Sequence, residues 1–197
     1  MLKIGVLISG GGTNLQAIID NCKNKTINGE VKVVISNKEE AYGLERAKNH
    51  NIKAIYEKDE DKIIKILKEN EIDLVVLAGY LKIISPKLVN EYKNRIINIH
   101  PSLIPAFCGK GYYGERVHQG VIDYGVKVTG ATVHLVDEGA DTGPIIMQKT
   151  VEVKQDDDAK KLANRVLGVE HEILTKSIAM FCKNKLTVQG RRVYIDD

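Results

Sequence analysis

Short apolar runs alternate with longer stretches of helical spacing along the first hundred residues. Segments 3–8, 31–36, 53–56, 74–78 and 96–100 are rich in Val, Ile and Leu at successive positions, so each reads as a strand that is apolar on both faces. Between them, segments 14–23, 43–50, 59–70 and 86–92 carry helical spacing or helix-start signals, such as Pro86 directly after Ser85. Strands apolar on both faces and joined by helices predict a mostly parallel, twisted sheet covered by helices on both sides. In such an α/β architecture ligands bind beyond the carboxyl ends of the strands.

The pattern changes after Pro101. A glycine-rich stretch, 108–114, leads into a short helix at 115–124, then strands at 127–135 and 145–153 separated by a polar loop. This half reads as mixed or antiparallel. From Asp158 to about Phe181, the residues Leu162, Val166, Val169, Ile173 and Ile178 follow helical spacing, with Asp156, Asp157 and Asp158 at the end where the helix dipole favours negative charge. With no repeat or linker, residues 1–197 read as one domain.

Composition narrows the class. Lys+Arg 29 against Asp+Glu 26 gives a formal charge of +3 that is scattered along the chain, which does not suggest a nucleic-acid partner. No apolar run approaches the roughly 20 residues of a membrane span, and the amino terminus lacks a signal-peptide pattern. The cysteines Cys22, Cys108 and Cys182 are far apart and odd in number, so a reduced, cytoplasmic protein is expected.

Three constellations could carry chemistry. Ser9-Gly10-Gly11-Gly12-Thr13-Asn14 lies between the first strand and first helix, where glycines let backbone N–H groups approach an anion and Thr13 or Asn14 would cap the helix. Leu15 breaks the dinucleotide pattern, no Gly-Lys-Ser/Thr follows, and the second strand ends in Ser36-Asn37-Lys38 without an acid for an adenosine ribose. A phosphomonoester therefore fits better than NAD or ATP. In Asn98-Ile99-His100-Pro101, residues two apart on a strand face the same way, pairing an amide donor with an imidazole, an arrangement that suits acyl chemistry and that also occurs as a pair of satisfied polar groups at a strand end. The loop from His134 to Pro144 holds Asp137, Glu138 and Asp141; one of these carboxylates near His100 would orient it and raise its pKa above about 6.5. The spacing matches no common zinc pattern.

Taken in order, these segments resemble the folate-dependent phosphoribosylglycinamide formyltransferases. The likeness runs from Lys3 to about Phe181 and includes Gly12-Thr13-Asn14-Leu15-Gln16-Ala17-Ile18, Ser36-Asn37-Lys38, Gly43-Leu44-Glu45-Arg46-Ala47, Leu77-Ala78-Gly79-Tyr80-Leu81-Lys82-Ile83, Asn98-Ile99-His100-Pro101-Ser102-Leu103-Ile104-Pro105, Asp141-Thr142-Gly143-Pro144 and Glu170-His171. The resemblance implies a Rossmann-like formyltransferase fold, and formyl transfer from 10-formyltetrahydrofolate to the amine of 5-phosphoribosylglycinamide in purine biosynthesis. It implies no metal, and small-molecule partners for a monomer or homodimer. By position, it assigns Asn98, His100 and Asp141 to catalysis, Gly12, Thr13, Asn14 and Glu170 to the phosphorylated substrate, and Leu81, Lys82, Ile83 and Ile84, with Asn98, to the folate. His134 takes a supporting role. The amino-terminal half would bind phosphate, and the carboxyl-terminal half would bind folate and hold the catalytic groups. Methionyl-tRNA formyltransferase and formyltetrahydrofolate deformylase share parts of this pattern but usually carry an extra domain. A sugar-phosphate-binding module without catalysis would not need Asn98, His100 and Asp141 together.

Overall fold

The computed structural model describes residues 1–196. In chain order the elements are β1 (Leu2–Ile8), α1 (Thr13–Lys23), β2 (Gly29–Ser36), α2 (Tyr42–Asn49), β3 (Lys53–Tyr56), α3 (Glu60–Glu69), β4 (Leu74–Leu77), α4 (Pro86–Glu91) and β5 (Ile96–His100). They are followed by α5 (Glu115–Tyr124), β6 (Val128–Leu135), β7 (Ile145–Glu152), α6 (Ala159–Cys182), β8 (Leu186–Gln189) and β9 (Arg192–Ile195). All strands join one nine-stranded sheet in the order β3-β2-β1-β4-β5-β6-β7-β9-β8. β1 to β5 are mutually parallel, whereas β6 runs antiparallel to β5 and β7 antiparallel to β6. The expected mostly parallel α/β sheet with a mixed second half is therefore present.

Local chemistry accounts for the helix starts. Asp59 accepts hydrogen bonds from the Asp61 and Lys62 N–H groups at the head of α3. Ser85 accepts from Leu88 N–H before Pro86 opens α4, and Asp158 accepts from Lys161 N–H at the head of α6. Two apolar layers then sandwich the sheet. One packs α1, α2, α5 and α6 through residues such as Leu15, Leu44, Val121 and Leu174; the other packs α3 and α4 through Ile63, Leu67 and Leu88. Val6 and Leu7 are adjacent in β1 and fully buried on opposite layers, which is why that strand reads as a continuous apolar run.

The chain builds outward from β1 to β3, then returns through α3 to place β4 on the other side of β1. Successive crossovers thus leave in opposite directions from the carboxyl ends of β1 and β4, and the loops there diverge to open a crevice.

Most predicted boundaries lie within a residue or two of the observed ones. β2 starts earlier than expected, at Gly29, because Gly29 and Glu30 still pair with Leu2 and Lys3. The β8–β9 hairpin is an addition: Leu186, Val188 and Val193 are half-buried against the α6 layer, and a two-residue Gly190-Arg191 connection joins the strands. A short alternation with a glycine turn is a hairpin signal, and it lies beyond the segments expected from the pattern, which end near Phe181.

Candidate active site

The crevice is a cleft of about 990 Å³ lined by the loop after β1, the segment after β4, the end of β5, the 109–115 stretch, the Asp141 loop and one face of α6. Its first wall is backbone. Gly12, with φ +70°, is the N-cap of α1, and no side chain caps the helix. This corrects the expectation that Thr13 or Asn14 would do so: Thr13 opens the helix, and the Asn14 side chain is turned away to donate from Nδ2 to Glu170 Oε2 at 2.8 Å. The first-turn N–H groups are consequently free to meet an anion. The loop is braced from behind. Gly43 N–H donates to Gly10 O (3.0 Å), Arg46 Nε donates to Gly11 O (2.8 Å), and a Cβ on Gly12 would lie 2.7 Å from Gly43 Cα. Ser9 closes it from the side, its hydroxyl donating to Asn37 Oδ1 (2.6 Å) and accepting from Leu81 N–H (2.9 Å).

The second group gathers around Asp141. Asn98 lies directly opposite His134 in the antiparallel β5–β6 pair, and Asn98 Nδ2 is 3.0 Å from His134 Nε2. His134 Nδ1 donates to the Leu135 carbonyl (2.9 Å), leaving Nε2 as the acceptor for the amide. The Asp141 carboxylate then joins three side chains: Oδ1 is 3.4 Å from Asn98 Nδ2 and 3.5 Å from His134 Nε2, and Oδ2 is 3.5 Å from His100 Nδ1. Oδ2 also accepts from Gly109 N–H at 2.9 Å, tying this loop to the 109–115 stretch. Asp141 itself has φ +58°, a conformation that a short aspartate tolerates. Gly143 allows the loop to turn, since a Cβ there would sit 1.8 Å from Leu135 O.

Electrostatics correct one expectation. His100 is buried, and its pKa lies below the ordinary histidine value because burial outweighs the upward pull of Asp141 and of the Phe107 carbonyl, which accepts from Nε2 at 2.9 Å. The carboxylate does favour the charged ring, but the net effect is downward. Asp141 goes the other way from its burial. Burial opposes its charge, yet contact with His134, the neighbouring His100 and the Gly109 N–H together hold its carboxyl below the usual range.

On the opposite wall, Leu81 and Ile83 are exposed into the cleft, whereas Ile84 is buried among the α3–α4 layer. Lys82 turns away, its Nζ donating to Lys58 O at 3.1 Å. This segment follows β4, in the amino-terminal half of the chain. Glu170 is buried on α6 with its pKa raised by burial, and Asn14 Oδ1 beside it has no partner. Among the described residues no group of three His, Cys, Asp or Glu side chains is arranged to hold a metal ion.

The chain matches the formyl transferase family model over residues 2–178. It is 38% identical over 205 residues to the phosphoribosylglycinamide formyltransferase of Haemophilus influenzae, covering 100% of this chain and 94% of that protein. This chain belongs to the phosphoribosylglycinamide formyltransferase family. A chloroplastic member from Vigna unguiculata is 42% identical over 193 residues, which cover 93% of this chain; the match spans 62% of the plant protein, just under two thirds of its length. The crystal structure of glycinamide ribonucleotide transformylase 1 from Symbiobacterium toebii superposes with a TM-score of 0.94 at 43% identity, covering 100% of this chain and 95% of that one. A Bos taurus relative, 35% identical over 206 residues that cover 99% of this chain and 20% of that protein, is named trifunctional purine biosynthetic protein adenosine-3.

Several parts of the candidate site have no sequence signal. The Phe107 carbonyl and Gly109 N–H act through backbone, which residue type does not reveal. Both are delivered by a turn clamped to β6, where Thr132 Oγ1 donates to Ser102 O (2.7 Å) and accepts from Ile104 N–H (3.1 Å). His118 is a further member that sequence reasoning missed: it lines the cleft from α5, is 4% exposed, and has an Nδ1 without a partner. Its place between Val117 and Val121 reads in sequence as an ordinary buried helix face.

Proposed function

We propose that this chain transfers the formyl group of 10-formyltetrahydrofolate to the amine of 5-phosphoribosylglycinamide, releasing N-formyl product and tetrahydrofolate. The observation that carries the reading is the meeting of Asn98, His100 and Asp141 at one end of a cleft whose other end is an uncapped helix amino terminus. The glycine loop and Thr13 hold the substrate phosphate, and Asn14 with Glu170 takes the sugar, placing the amine near Asn98. Leu81 and Ile83 give the pterin an apolar wall, backed by the buried Ile84, and the backbone of the 81–84 segment runs along it.

The amine nitrogen attacks the formyl carbon, the carbon–nitrogen bond to the folate breaks, and one proton passes from the attacking to the leaving nitrogen. The carbonyl oxygen becomes negative on the way. Asn98 Nδ2 donates to that oxygen. His100, neutral at pH 7 in the free protein with Nε2–H donating to Phe107 O, takes onto Nδ1 the proton that the attacking amine sheds as the oxyanion forms, because the new negative charge and Asp141 together offset the cost of burial, and then releases it toward the leaving nitrogen. Asp141 remains ionised throughout and steers a water that relays the proton.

We place the protein in the cytoplasm, acting as one formyltransferase domain over residues 1–197 and as a monomer or homodimer. Three free cysteines support a reducing compartment, and no helix among the described residues is long and apolar enough to cross a membrane. Purified protein given both substrates should release tetrahydrofolate in proportion to formylated product. Folate turnover that ignores phosphoribosylglycinamide and yields free formate would replace transfer with hydrolysis.

A further inference from the structure

The loop from 107 to 114 takes positive φ at four positions. Three are glycines, Gly109, Gly111 and Gly114, and the fourth is Phe107, with φ +49°. A bulky aromatic residue is strained in that conformation, because its Cβ crowds the following carbonyl, so its surroundings must hold it there. Phe107 O is also the group that accepts from His100 Nε2 at 2.9 Å. One strained residue thus fixes the ring of His100.

Aromatic packing holds it. The Phe107 ring lies edge-on to both Tyr112 and Tyr124, with each pair of centroids 5.9 Å apart and the planes at 78° and 80°. Tyr112 N–H donates to Gly109 O (3.2 Å), which folds the loop back toward Phe107. Gly120, one helical turn before Tyr124 on α5, makes the seat: a Cβ there would lie 3.1 Å from Tyr112 Cε1 and 3.4 Å from Phe107 Cδ1. Thr132 anchors the start of this turn, and the three rings anchor its end.

The orientation matters for the proton. A carbonyl oxygen can only accept, so Nε2 is the protonated nitrogen of the neutral ring, and the Nδ1 lone pair is left facing Asp141 Oδ2 at 3.5 Å. Without that carbonyl the ring would favour the other tautomer, since an Nδ1–H aimed at a carboxylate makes a charge-assisted hydrogen bond, stronger than one to a neutral acceptor. Nδ1 would then already carry the proton it has to accept.

We propose that Tyr112, seated on Gly120, is a positioning residue: by holding Phe107 in its strained conformation it keeps the Phe107 carbonyl on His100 Nε2 and reserves Nδ1 for the proton of the attacking amine. The effect on turnover rests on the function proposed above. The effect on the ring is a property of the free protein.

Long-range proton–nitrogen correlation spectra of the histidine rings, recorded on the full-length protein at neutral pH, test this together with steady-state kinetics. Wild-type His100 should show the Nε2–H tautomer. Tyr112→Ala should move His100 toward the Nδ1–H form and lower kcat about tenfold, the loss expected when about a tenth of the molecules keep the competent ring, with both KM values within about twofold of wild type. Tyr112→Phe keeps the aromatic ring and should restore both readouts. Gly120→Leu should act like Tyr112→Ala, because it fills the seat while improving helix propensity, and it decides the matter if Tyr112→Ala does not fold. An Nε2–H ring in the variants, or a kcat equal to wild type, overturns the proposal. A raised KM with unchanged kcat overturns it too, by making Tyr112 a ligand contact. Wild-type protein that does not formylate phosphoribosylglycinamide would overturn the functional reading, while the ring spectra would still decide whether Tyr112 acts on His100.

Discussion

The two ends of the cleft are built on different terms. The end we propose for the phosphate is mostly backbone: a glycine N-cap, free helix N–H groups and a loop braced by Gly43 and Arg46, all from β1, α1 and α2, which are close in sequence. The end we propose for catalysis is mostly side chain, and its members come from β5, β6 and the loop before β7, with Asp141 43 residues away from Asn98. Backbone donors present a fixed field to whatever anion arrives. Side chains held by burial and by one another can change charge during a reaction. The first suits binding, and the second suits moving a proton.

The largest effect should come from breaking the catalytic end. Asn98→Ala should lower kcat by about two to three orders of magnitude with little change in the KM for phosphoribosylglycinamide, and rapid-quench kinetics would show the loss in the chemical step. An unchanged kcat would remove Asn98 from the oxyanion. In the same cluster, Asp141→Asn should push the His100 pKa still lower, since the carboxylate is the main upward influence on a ring already depressed by burial. An NMR titration that finds His100 unmoved would show that the two do not communicate.

Next in size is a stability effect with a defined sign. Burial, and to a lesser degree the neighbouring His100, lower the His118 pKa to about 4. Below the ordinary value of about 6.5 the unfolded chain binds a proton that the folded protein refuses, so stability falls with pH from about 6.5 down to about 4. Between pH 7 and pH 4.5 the loss should be roughly 2–3 kcal/mol, because refusing one proton costs up to about 1.4 kcal/mol for each pH step across that window. Urea unfolding at pH 7 and pH 4.5 would reveal it, and His118→Gln should flatten the difference. Glu170 contributes with the opposite sign. Its raised pKa means that its share of stability is present at low pH and is lost as pH rises through the folded value, so Glu170→Gln should help most at high pH.

At the phosphate end, Gly12→Ala should cost about 1–3 kcal/mol and raise the KM for the phosphorylated substrate. The new Cβ meets backbone at 2.7 Å, and the residue must keep a positive φ. Gly11→Ala meets nothing within 4 Å and should melt like wild type, which separates bracing from mere glycine content. The smallest effect belongs to the folate wall. Lys82→Ala should change the KM for 10-formyltetrahydrofolate by less than about twofold, because that side chain is tied outward to Lys58 O.

The two ends also differ in how far they can be read from sequence. Glycine-rich loop, strand and helix follow one another within residues 2–23, so the phosphate end is legible from local pattern, down to the absence of a nucleotide signature. Even there local pattern misassigns the cap, because Asn14 serves Glu170, 156 residues away. At the catalytic end, the strand period places Asn98 and His100 side by side. The direction in which the His100 pKa moves is not legible, because a nearby carboxylate can be guessed from a loop while the amount of apolar material around the ring cannot. The β8–β9 hairpin escapes notice because its half-buried alternation is short and finds its place only as an extension beyond β7.

What the sequence by itself determined is what depends on neighbours along the chain: alternating buried strands and helices, the helix starts at Asp59, Ser85 and Asp158, and a glycine turn where β1 ends. The tertiary structure decided which distant groups share a space. Antiparallel pairing put His134 opposite Asn98, the turn clamped by Thr132 aimed the Phe107 carbonyl at His100, and the reversal of crossovers between β1 and β4 opened the cleft that holds them. Burial and charge at that point are sums over segments far apart in the chain, and those sums exist only once the sheet has closed around them.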